Sequence, residues 1–326
     1  PRITVLASDA GDTQHLLTEL DAWRAKGVAF VTHDPTDEQQ LCYAGATHAE
    51  QPLLLNRLLV QADVALPVTC AHATTSGHAA GVFHGFFPEF SGVAARQQEP
   101  AAASSFDVSA RTSTGEASRF ATAADEAGWL LGVTLVLHVA PSAAGGVQRI
   151  AAGPADQVGD ELGPLVQDAW RRQAPGQAAG QAELVIASLT GDAREQTWAN
   201  VGKALAVAAP LLGPDGAVAI CTELTDTLPE RYAELLSLAD ADEAWPALEG
   251  DDSPDAALTG QLIEARQRGP VYLMSGLDPD WVEEVGLAPV ANERELARLA
   301  ERRPNRVVVE GAQHVAMDAA GQPSRL

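Results

Sequence analysis

The sequence predicts an α/β protein with two α/β domains. Strand-like and helix-like segments alternate along the chain, which is the pattern of layered α/β folds. Most strand-like segments are rich in valine, isoleucine and leucine and show no polar alternation, so we expect them to be buried on both faces of largely parallel sheets. The chain has 326 residues, of which 46% are hydrophobic, and this is enough to build two cores.

The individual elements follow from the apolar runs and from the helical periodicity between them. Strands are predicted at 3–8, 27–33, 62–68, 132–139, 182–188, 217–222, 270–275 and 306–310. Helices are predicted at 12–25, 53–61, 116–130, 156–173, 196–211, 255–267 and 292–303.

A small, polar and Gly-rich segment, APGQAAGQA at 174–182, predicts the linker between the domains. We therefore expect an N-terminal domain at 1–174 and a C-terminal domain at 182–326. The first predicted strand begins almost at Pro1, which is not a natural initiator, so we expect the chain to be a piece of a longer protein.

Net charge limits the kinds of partner, and cysteine content indicates the cellular compartment. The formal net charge is −23, which argues against a nucleic acid or an anionic membrane as a partner. Cys42, Cys70 and Cys221 form no CxxC pair, as is typical of a reducing compartment. No apolar run has the length of a membrane span and no signal peptide is visible, so we expect a cytoplasmic protein.

The common catalytic motifs are absent from the sequence, which has no P-loop, no GxGxxG after a strand, no HExxH and no GxSxG. The segment 238–256 holds seven acidic residues and is predicted to be a solvated surface loop. A cation site is the alternative interpretation, but the segment has no recognisable ligand spacing.

The segment 181–224 combines a buried strand, a polar turn and an amphipathic helix. At about 100° per residue, Gln196, Asn200 and Lys203 fall within one narrow arc of this helix. The opposite face is apolar and consists of Val201, Leu205 and Ala208. Two amides and one ammonium group could hold a small carboxylate or hydroxy acid, whereas the alternative is an ordinary solvated face.

Four of the seven phenylalanines lie between Phe83 and Phe90, in a segment that glycine, proline and serine mark as a loop. His84 lies among these phenylalanines. This concentration of aromatic side chains in an irregular segment indicates a functional loop rather than a regular core element.

The order of the segments resembles the family of nickel-pincer lactate racemases and related 2-hydroxyacid racemases and epimerases. The resemblance covers nearly the whole chain, and it is carried by LLNRLLVQADVALPV, FFPEFSG, GVTLVLHVAPSAAGGVQRIAAGP, segment 181–224, PVYLMSGLDPDWVEEVGLAPVANERELARLAE and RVVVEGAQHV. It implies two α/β domains with the active site in the cleft between them, and first strands that are missing before Pro1.

The resemblance also implies a set of site residues in the first domain. FFPEFSG matches the family's aromatic run, so Phe86, Phe87 and Ser91 are expected to line the substrate or cofactor pocket. His84 resembles the acid/base histidine of this loop. A pair of bases on opposite faces of a substrate suits racemisation, because one removes a proton or its equivalent and the other returns it.

In the second domain, the resemblance implies substrate contacts from the helix of segment 181–224. Lys203 matches the family's substrate-binding lysine. Asn200 stands where a glutamine is usual, and Gln196 also fits the pattern. We therefore expect these three side chains to hold a small anionic or hydroxy-acid ligand.

The cofactor residues depart from the family pattern. Ala95 stands where a lysine should carry the nickel-pincer nucleotide, and Arg96 beside it cannot form that covalent bond. The histidine expected after the first strand is absent, with His15 lying a few residues later. No histidine occurs between His84 and His138, where a nickel ligand is expected. The sequence therefore predicts loss of the covalent machinery, no assigned metal ligand and an unknown cofactor.

His72, His78 and His84 recur every six residues and could bind zinc or nickel, but an irregular loop does not place them on one side. Cys70 with His72 is a weaker candidate for a thiol nucleophile. Glu89 is either a general acid/base or an exposed loop carboxylate.

The remaining histidines are weaker candidates. His138, at the end of a strand of valine and leucine, is predicted to be a buried and hydrogen-bonded core residue. His33 lies at a strand end, which is either a ligand-binding position or an ordinary turn. His314 receives no assigned role.

These observations lead to one principal hypothesis and two alternatives. The principal hypothesis is a divergent lactate racemase-like protein that binds a small hydroxy acid or related anion in the interdomain cleft without covalent pincer chemistry. The first alternative is an active nickel-dependent 2-hydroxyacid racemase or epimerase, an isomerase, that holds its cofactor non-covalently. The second is a non-enzymatic binding or assembly protein.

Overall fold

A computed structural model describes residues 2–8, 22–48, 50–71, 81–83, 85–97, 123–141, 147–173, 181–193, 195–238, 243–249, 251 and 253–318. These residues form two compact units, and the described part of the first extends to Pro164 while the second continues from Leu165. The linker predicted at 174–182 lies largely outside the described residues, so the predicted domain limits stay a prediction.

The described residues of the first unit contain short strands and helices. The strands are β1 (Thr4–Ala7), β2 (Ala29–Thr32), β3 (Leu41–Ala46), β4 (Pro52–Asn56), β5 (Val68–Cys70), β6 (Val136–Pro141) and β7 (Val147–Gly153). The helices are α1 (Arg57–Val60), α2 (Val93–Gln97), α3 (123–130) and α4 (Ala155–Trp170), and α4 continues into the second unit.

The first unit is less parallel than the sequence predicts. β1 pairs with β2 and β5 pairs with β6 in parallel, but β3 with β4 and β6 with β7 are antiparallel. The reason is that β3 and β4 form a hairpin and β7 follows β6 directly, and short connections of this kind return the chain in the opposite direction.

Two predicted elements of the first unit are wrong in part. The first half of the helix predicted at 53–61 is strand β4, in which Leu53 and Leu55 are buried at 2% and 0% exposure while Leu54 between them is 46% exposed. This period of two suits pairing with β3, which the leucine-rich composition concealed. The second half is the helix α1. The strand predicted at 62–68 is irregular up to Pro67, and the strand there begins only at Val68.

The described residues of the second unit alternate strands with helices. Its strands are β8 (Arg171–Gln173), β9 (Ala182–Ser188), β10 (Leu212–Cys221), β11 (Val271–Met274), β12 (Ala288–Pro289), β13 (Arg306–Glu310) and β14 (Ala316–Asp318). Its further helices are α5 (Trp198–Ala208), α6 (Glu230–Ser237), α7 (Trp245–Leu248), α8 (Pro254–Arg268), α9 (Pro279–Glu284) and α10 (Glu293–Glu301).

A five-stranded sheet forms the centre of the second unit. Its order is β12-β11-β10-β9-β13, and all four pairings are parallel. The sheet is covered on both faces, because Val185 and Ala187 belong to the core built with α5 and α8, whereas Leu184 and Ile186 pack with α10 residues such as Leu296. Burial on both faces explains the continuous apolar strands of this half of the sequence.

Helix α5 is held by its cap and by its apolar face. Thr197 is the N-cap, and its hydroxyl accepts a hydrogen bond from the backbone N–H of Asn200. The predicted apolar face is confirmed, since Val201, Leu205 and Ala208 are at most 1% exposed. Full burial of a valine or leucine side chain stabilises the fold by about 1.5–3 kcal/mol.

The acidic segment 238–256 is not only a surface loop. Within its described part, Trp245–Leu248 forms α7, and Ala244 is completely buried in the core of the second unit. The Tyr232 hydroxyl donates a hydrogen bond to Asp251 at 2.9 Å, which ties the segment to α6. Among the described helices of the protein, none is long and apolar enough to cross a membrane.

Candidate functional site

The order of the strands in the second unit defines a topological switch point. β10, β11 and β12 follow β9 in order toward one edge of the sheet. The chain then returns, and β13 pairs with β9 on its opposite side. The carboxyl ends of β9 and β13 therefore lie side by side at one end of the sheet, and each strand continues into its own loop. Open parallel sheets bind ligands at such points, outside the carboxyl ends of the strands.

The loop after β13 is fastened to the loop after β9 by Gln313. Its side-chain Nε2 donates to the backbone oxygen of Thr190 at 2.6 Å, and its Oε1 accepts from the Thr190 N–H at 3.3 Å. Gly311 opens this loop at φ 59°, and a Cβ there would lie 3.2 Å from the Thr190 hydroxyl. The two loops thus approach each other closely, and the short helical turn Ala312–His314 packs against α5.

Gln196, a predicted substrate residue, precedes α5 rather than lying on it. It is 6% exposed, and its Oε1 accepts from the Thr222 hydroxyl at 2.8 Å and from the Glu223 N–H at 3.0 Å. Its Nε2 donates to the backbone oxygens of Thr190 and Gly191 at 3.3 and 3.4 Å. The side chain therefore joins the loops after β9 and β10. A ligand would have to displace one of these bonds, so its role in substrate binding stays a prediction.

Asn200, one turn before Lys203 on α5, contacts a carboxylate of its own chain. Its Nδ2 donates to the backbone oxygen of Glu195 at 2.8 Å and to the Glu195 Oε2 at 3.1 Å. These two acceptors fix which way the amide points. The residue is only 7% exposed, and none of the described residues donates a hydrogen bond to its Oδ1. The amide oxygen of Asn200 is thus a largely buried acceptor on α5.

Two ionisable side chains, Lys203 and His314, lie in the segments that follow the neighbouring strands β9 and β13. Both side chains are half-buried, Lys203 on α5 and His314 in the turn after β13. Burial lowers the pKa of His314 below the ordinary histidine value, while the Glu195 carboxylate opposes this shift and the Lys203 ammonium group adds to it. Glu195 and Lys203 follow β9, and His314 follows its neighbour β13. The segments that leave the switch point thus carry a carboxylate, an ammonium group and an imidazole, and such groups can bind a carboxylate and hold or release a proton.

Three predicted site residues of the first unit, Phe86, Phe87 and Ser91, are buried in that unit. Phe86 and Phe87 are 2% and 5% exposed, and Ser91 is 0% exposed. The Phe86 ring lies 6.3 Å from Phe90 and 6.4 Å from Phe83, measured between centroids. The aromatic segment therefore forms part of a core, and its expected contact with a ligand stays a prediction.

His33 joins this aromatic segment to the rest of the first unit. Its Nδ1 accepts from the Asn56 amide at 3.0 Å, so its Nε2 carries the proton that is donated to the Ser91 backbone oxygen at 2.8 Å. Both ring nitrogens are engaged in a buried network that includes Gln40. This arrangement favours a structural role for His33 over ligand binding.

The prediction for His138 is confirmed. The residue is 3% exposed, and its ring lies 2.6 Å from the Thr69 hydroxyl, which itself donates to the Val82 oxygen. Because the hydroxyl has a single proton, His138 Nδ1 must be the donor in this contact. Burial lowers the pKa of His138.

One described position bears on the predicted loss of covalent pincer chemistry. Ala95, at the position matched to the anchoring lysine, lies in α2 and carries only a methyl group. No group of three or more histidine, cysteine, aspartate or glutamate side chains that could hold a metal ion occurs among the described residues. The predicted catalytic residue His84 lies outside the described residues, as do His15, His72 and His78, so the ideas that rest on them stay predictions.

Comparison with solved structures identifies the type of fold. The lactate racemase apoprotein from Thermoanaerobacterium thermosaccharolyticum has a TM-score of 0.73 at 16% sequence identity, covering 97% of this chain and 78% of that chain. A protein from Thermotoga maritima has a TM-score of 0.69 at 11% identity, covering 97% of this chain and 86% of that chain. No protein-family model matches the sequence, and no curated protein matches it significantly.

These likenesses show that the chain has a divergent lactate racemase-like α/β fold. The resemblance seen in the sequence is thereby confirmed at the level of the fold. The switch point of the second unit adds a candidate ligand site to that fold.

Sequence analysis missed three residues of this site: Glu195, Gln313 and His314. A signal for them was present, because Gln313 and His314 closely follow a predicted strand and Glu195 follows another. Their significance depends on β9 and β13 being neighbours, which a list of strands in chain order does not reveal.

Proposed function

We propose that this protein binds a small 2-hydroxy carboxylate or a related anion, as a divergent lactate racemase-like protein that has lost covalent pincer chemistry. The observation that carries the proposal is the half-buried ammonium group of Lys203 at the switch point, beside the amide of Asn200. In this proposal Lys203 holds the ligand carboxylate, and Asn200 Oδ1 accepts a hydrogen bond from the ligand hydroxyl.

The charge pattern of the chain supports an anionic ligand at this position. The protein carries a net charge of −23, and Lys26 and Lys203 are its two lysines among 21 basic residues. An ammonium group that is partly removed from water binds a carboxylate with a charge-assisted hydrogen bond, which contributes about 1.5–3 kcal/mol. Most of the acidic surface would repel the same ligand, so binding would be confined to this end of the sheet.

The contribution of the first domain follows from the sequence resemblance. In the proposal His84 is the acid/base residue, and Phe86, Phe87 and Ser91 contribute to the pocket. Ala95 supports the loss of covalent attachment, because its methyl side chain has no amine that could bind the cofactor.

Calorimetric titration with lactate tests the proposal. Lys203→Ala should weaken binding by roughly 10- to 100-fold, because it removes one charge-assisted hydrogen bond, and it should leave the unfolding free energy within about 0.5 kcal/mol of the wild-type value. The matched control is Lys26→Ala, since Lys26 lies over the Trp23 ring in the first unit and should not affect binding. Unchanged lactate affinity in Lys203→Ala would show that the assignment is wrong.

A further inference from the structure

His314 is held in a defined position at the switch point. It ends the helical turn Ala312–His314, and its backbone N–H donates to the Gly311 oxygen at 2.9 Å. Ala312 and Gln313 before it are buried, and Gln313 binds both backbone groups of Thr190. The imidazole is therefore carried by a loop that is fixed to the neighbouring strand, which limits the range of positions it can adopt.

The charged groups that act on His314 come from α5 and from the turn that precedes it. The turn Ala312–His314 packs against α5, which carries Lys203, and the charges of Lys203 and Glu195 act on the imidazole in opposite directions. Thr190 and Gln313, which join the two loops here, are polar but carry no charge.

We propose that His314 is a second anion-binding residue of this site and that it takes up a proton when the ligand carboxylate binds. The inference rests on the proposed function, since it assigns a further residue to the same ligand. A bound carboxylate would add a negative charge beside the imidazole, and protonation of the imidazole compensates that charge. The imidazolium ion then shares the carboxylate with Lys203.

The free protein favours the neutral imidazole. Burial disfavours the charged ring and lowers the pKa of His314, although Glu195 partly opposes this effect. A bound anion adds a second negative charge nearby and raises that pKa in the complex. Because the complex then holds more protons than the free protein, anion affinity must rise as the pH falls between the two pKa values.

The experiment is calorimetric titration of the whole protein with lactate at pH 5.5 and pH 8.0, in two cationic buffers that differ in ionisation enthalpy. The lactate carboxylate stays ionised throughout this range. If the histidine pKa rises by one unit on binding, affinity should be about tenfold higher at the lower pH. At an intermediate pH, the two buffers should report uptake of a fraction of a proton by the wild-type protein.

His314→Gln tests whether this proton resides on His314. The variant should lose the share of pH dependence and proton uptake that His314 contributes, so both should be clearly smaller than in the wild-type protein. The matched control is His48→Gln, because the His48 side chain is 94% exposed and contacts Glu126 in the first unit. This control should keep the wild-type pH dependence. The wild-type measurement of proton uptake does not depend on whether the variant folds.

The outcomes separate the two proposals. Lactate binding of equal affinity at both pH values, without proton uptake, overturns the role of His314 and leaves the role of Lys203 intact. Proton uptake of wild-type size in a folded His314→Gln protein also overturns it. If the wild-type protein binds no lactate at either pH, the proposed function and this inference are both wrong.

Discussion

The two halves of the predicted site differ in how their side chains are used. In the first unit, Phe86 and Ser91 are almost completely buried, and the backbone oxygen of Ser91 is bound by His33. In the second unit, Lys203 and His314 are half-buried, and the Lys203 ammonium group helps burial to lower the pKa of His314. Resemblance to a family assigned both halves to ligand binding, whereas the contacts distinguish a packed core from a charged and partly accessible site.

The same distinction applies to two residues of the second unit that the sequence placed on one arc of a helix, Gln196 and Lys203. Gln196 and Lys203 are seven residues apart, and the sequence treats them as equivalent ligand contacts. The Gln196 amide is fully engaged in joining loops, whereas Lys203 lies half-buried beside Asn200. Burial together with complete hydrogen bonding indicates a structural role, so stability measurements and binding measurements should separate these residues.

The largest expected effect is that of Phe86→Ala. Removing a fully buried phenylalanine ring should lower the free energy of unfolding by about 3–5 kcal/mol, because the lost burial is accompanied by a cavity. Urea denaturation measures this change. The control is Lys203→Ala, which should be nearly neutral for stability. A Phe86→Ala protein of wild-type stability would contradict the core assignment and favour the predicted role in a pocket wall.

A smaller loss is expected for Gln196→Ala. The substitution leaves the buried Thr222 hydroxyl and the Glu223 N–H without their acceptor, which should cost about 1–3 kcal/mol of unfolding free energy. Thermal or urea unfolding measures the loss, with Gln39→Ala as the control because Gln39 is exposed in the first unit. If Gln196→Ala leaves stability unchanged but abolishes lactate binding, the predicted substrate role is correct and the structural interpretation is wrong.

The smallest expected effect is the pH dependence of stability through His138. Burial lowers its pKa in the folded protein, so the unfolded chain takes up the proton first as the pH falls below about 6.5. Stability should therefore decrease as the pH falls through this value, with a slope of at most about 1.4 kcal/mol per pH unit, until the folded pKa is passed.

The measurement is the difference in urea midpoint between pH 7.5 and pH 5.5, compared between the wild-type protein and His138→Asn. Asparagine keeps a donor for the Thr69 hydroxyl but does not titrate. Taking the difference is necessary because burial lowers the pKa of His314 in the same direction. Identical pH dependence in the two proteins would show that His138 contributes nothing to it.

Part of the fold could be predicted because it depends on local patterns. The apolar runs that became β9, β10, β11 and β13 are buried on both faces, and the apolar face of α5 follows a period of 3.6 residues. The hairpin of β3 and β4 could not be predicted in this way. Its leucines have good helix propensity, and they alternate between buried and exposed positions because β4 pairs with β3.

The candidate site divides along the same line. Lys203 and Asn200 could be selected from sequence because they are one helical turn apart, and that spacing is a property of the helix itself. His314 could not be selected, because it follows β13, whereas Glu195 and Lys203 follow β9. These two strands are neighbours in the sheet but far apart in the sequence. The burial that decides the role of Gln196 or Phe86 likewise depends on what packs against it.

The sequence by itself determined the α/β class, the strands of the parallel sheet, the apolar face of α5 and the resemblance to lactate racemases. Composition and periodicity are local properties, and each residue expresses them without reference to distant parts of the chain. Only the tertiary structure decided which strands are neighbours and which loops meet at the switch point. It also decided which polar side chains have their hydrogen-bonding groups satisfied by buried partners. These outcomes depend on contacts between residues far apart in the sequence, where pairing and burial outweigh local preference.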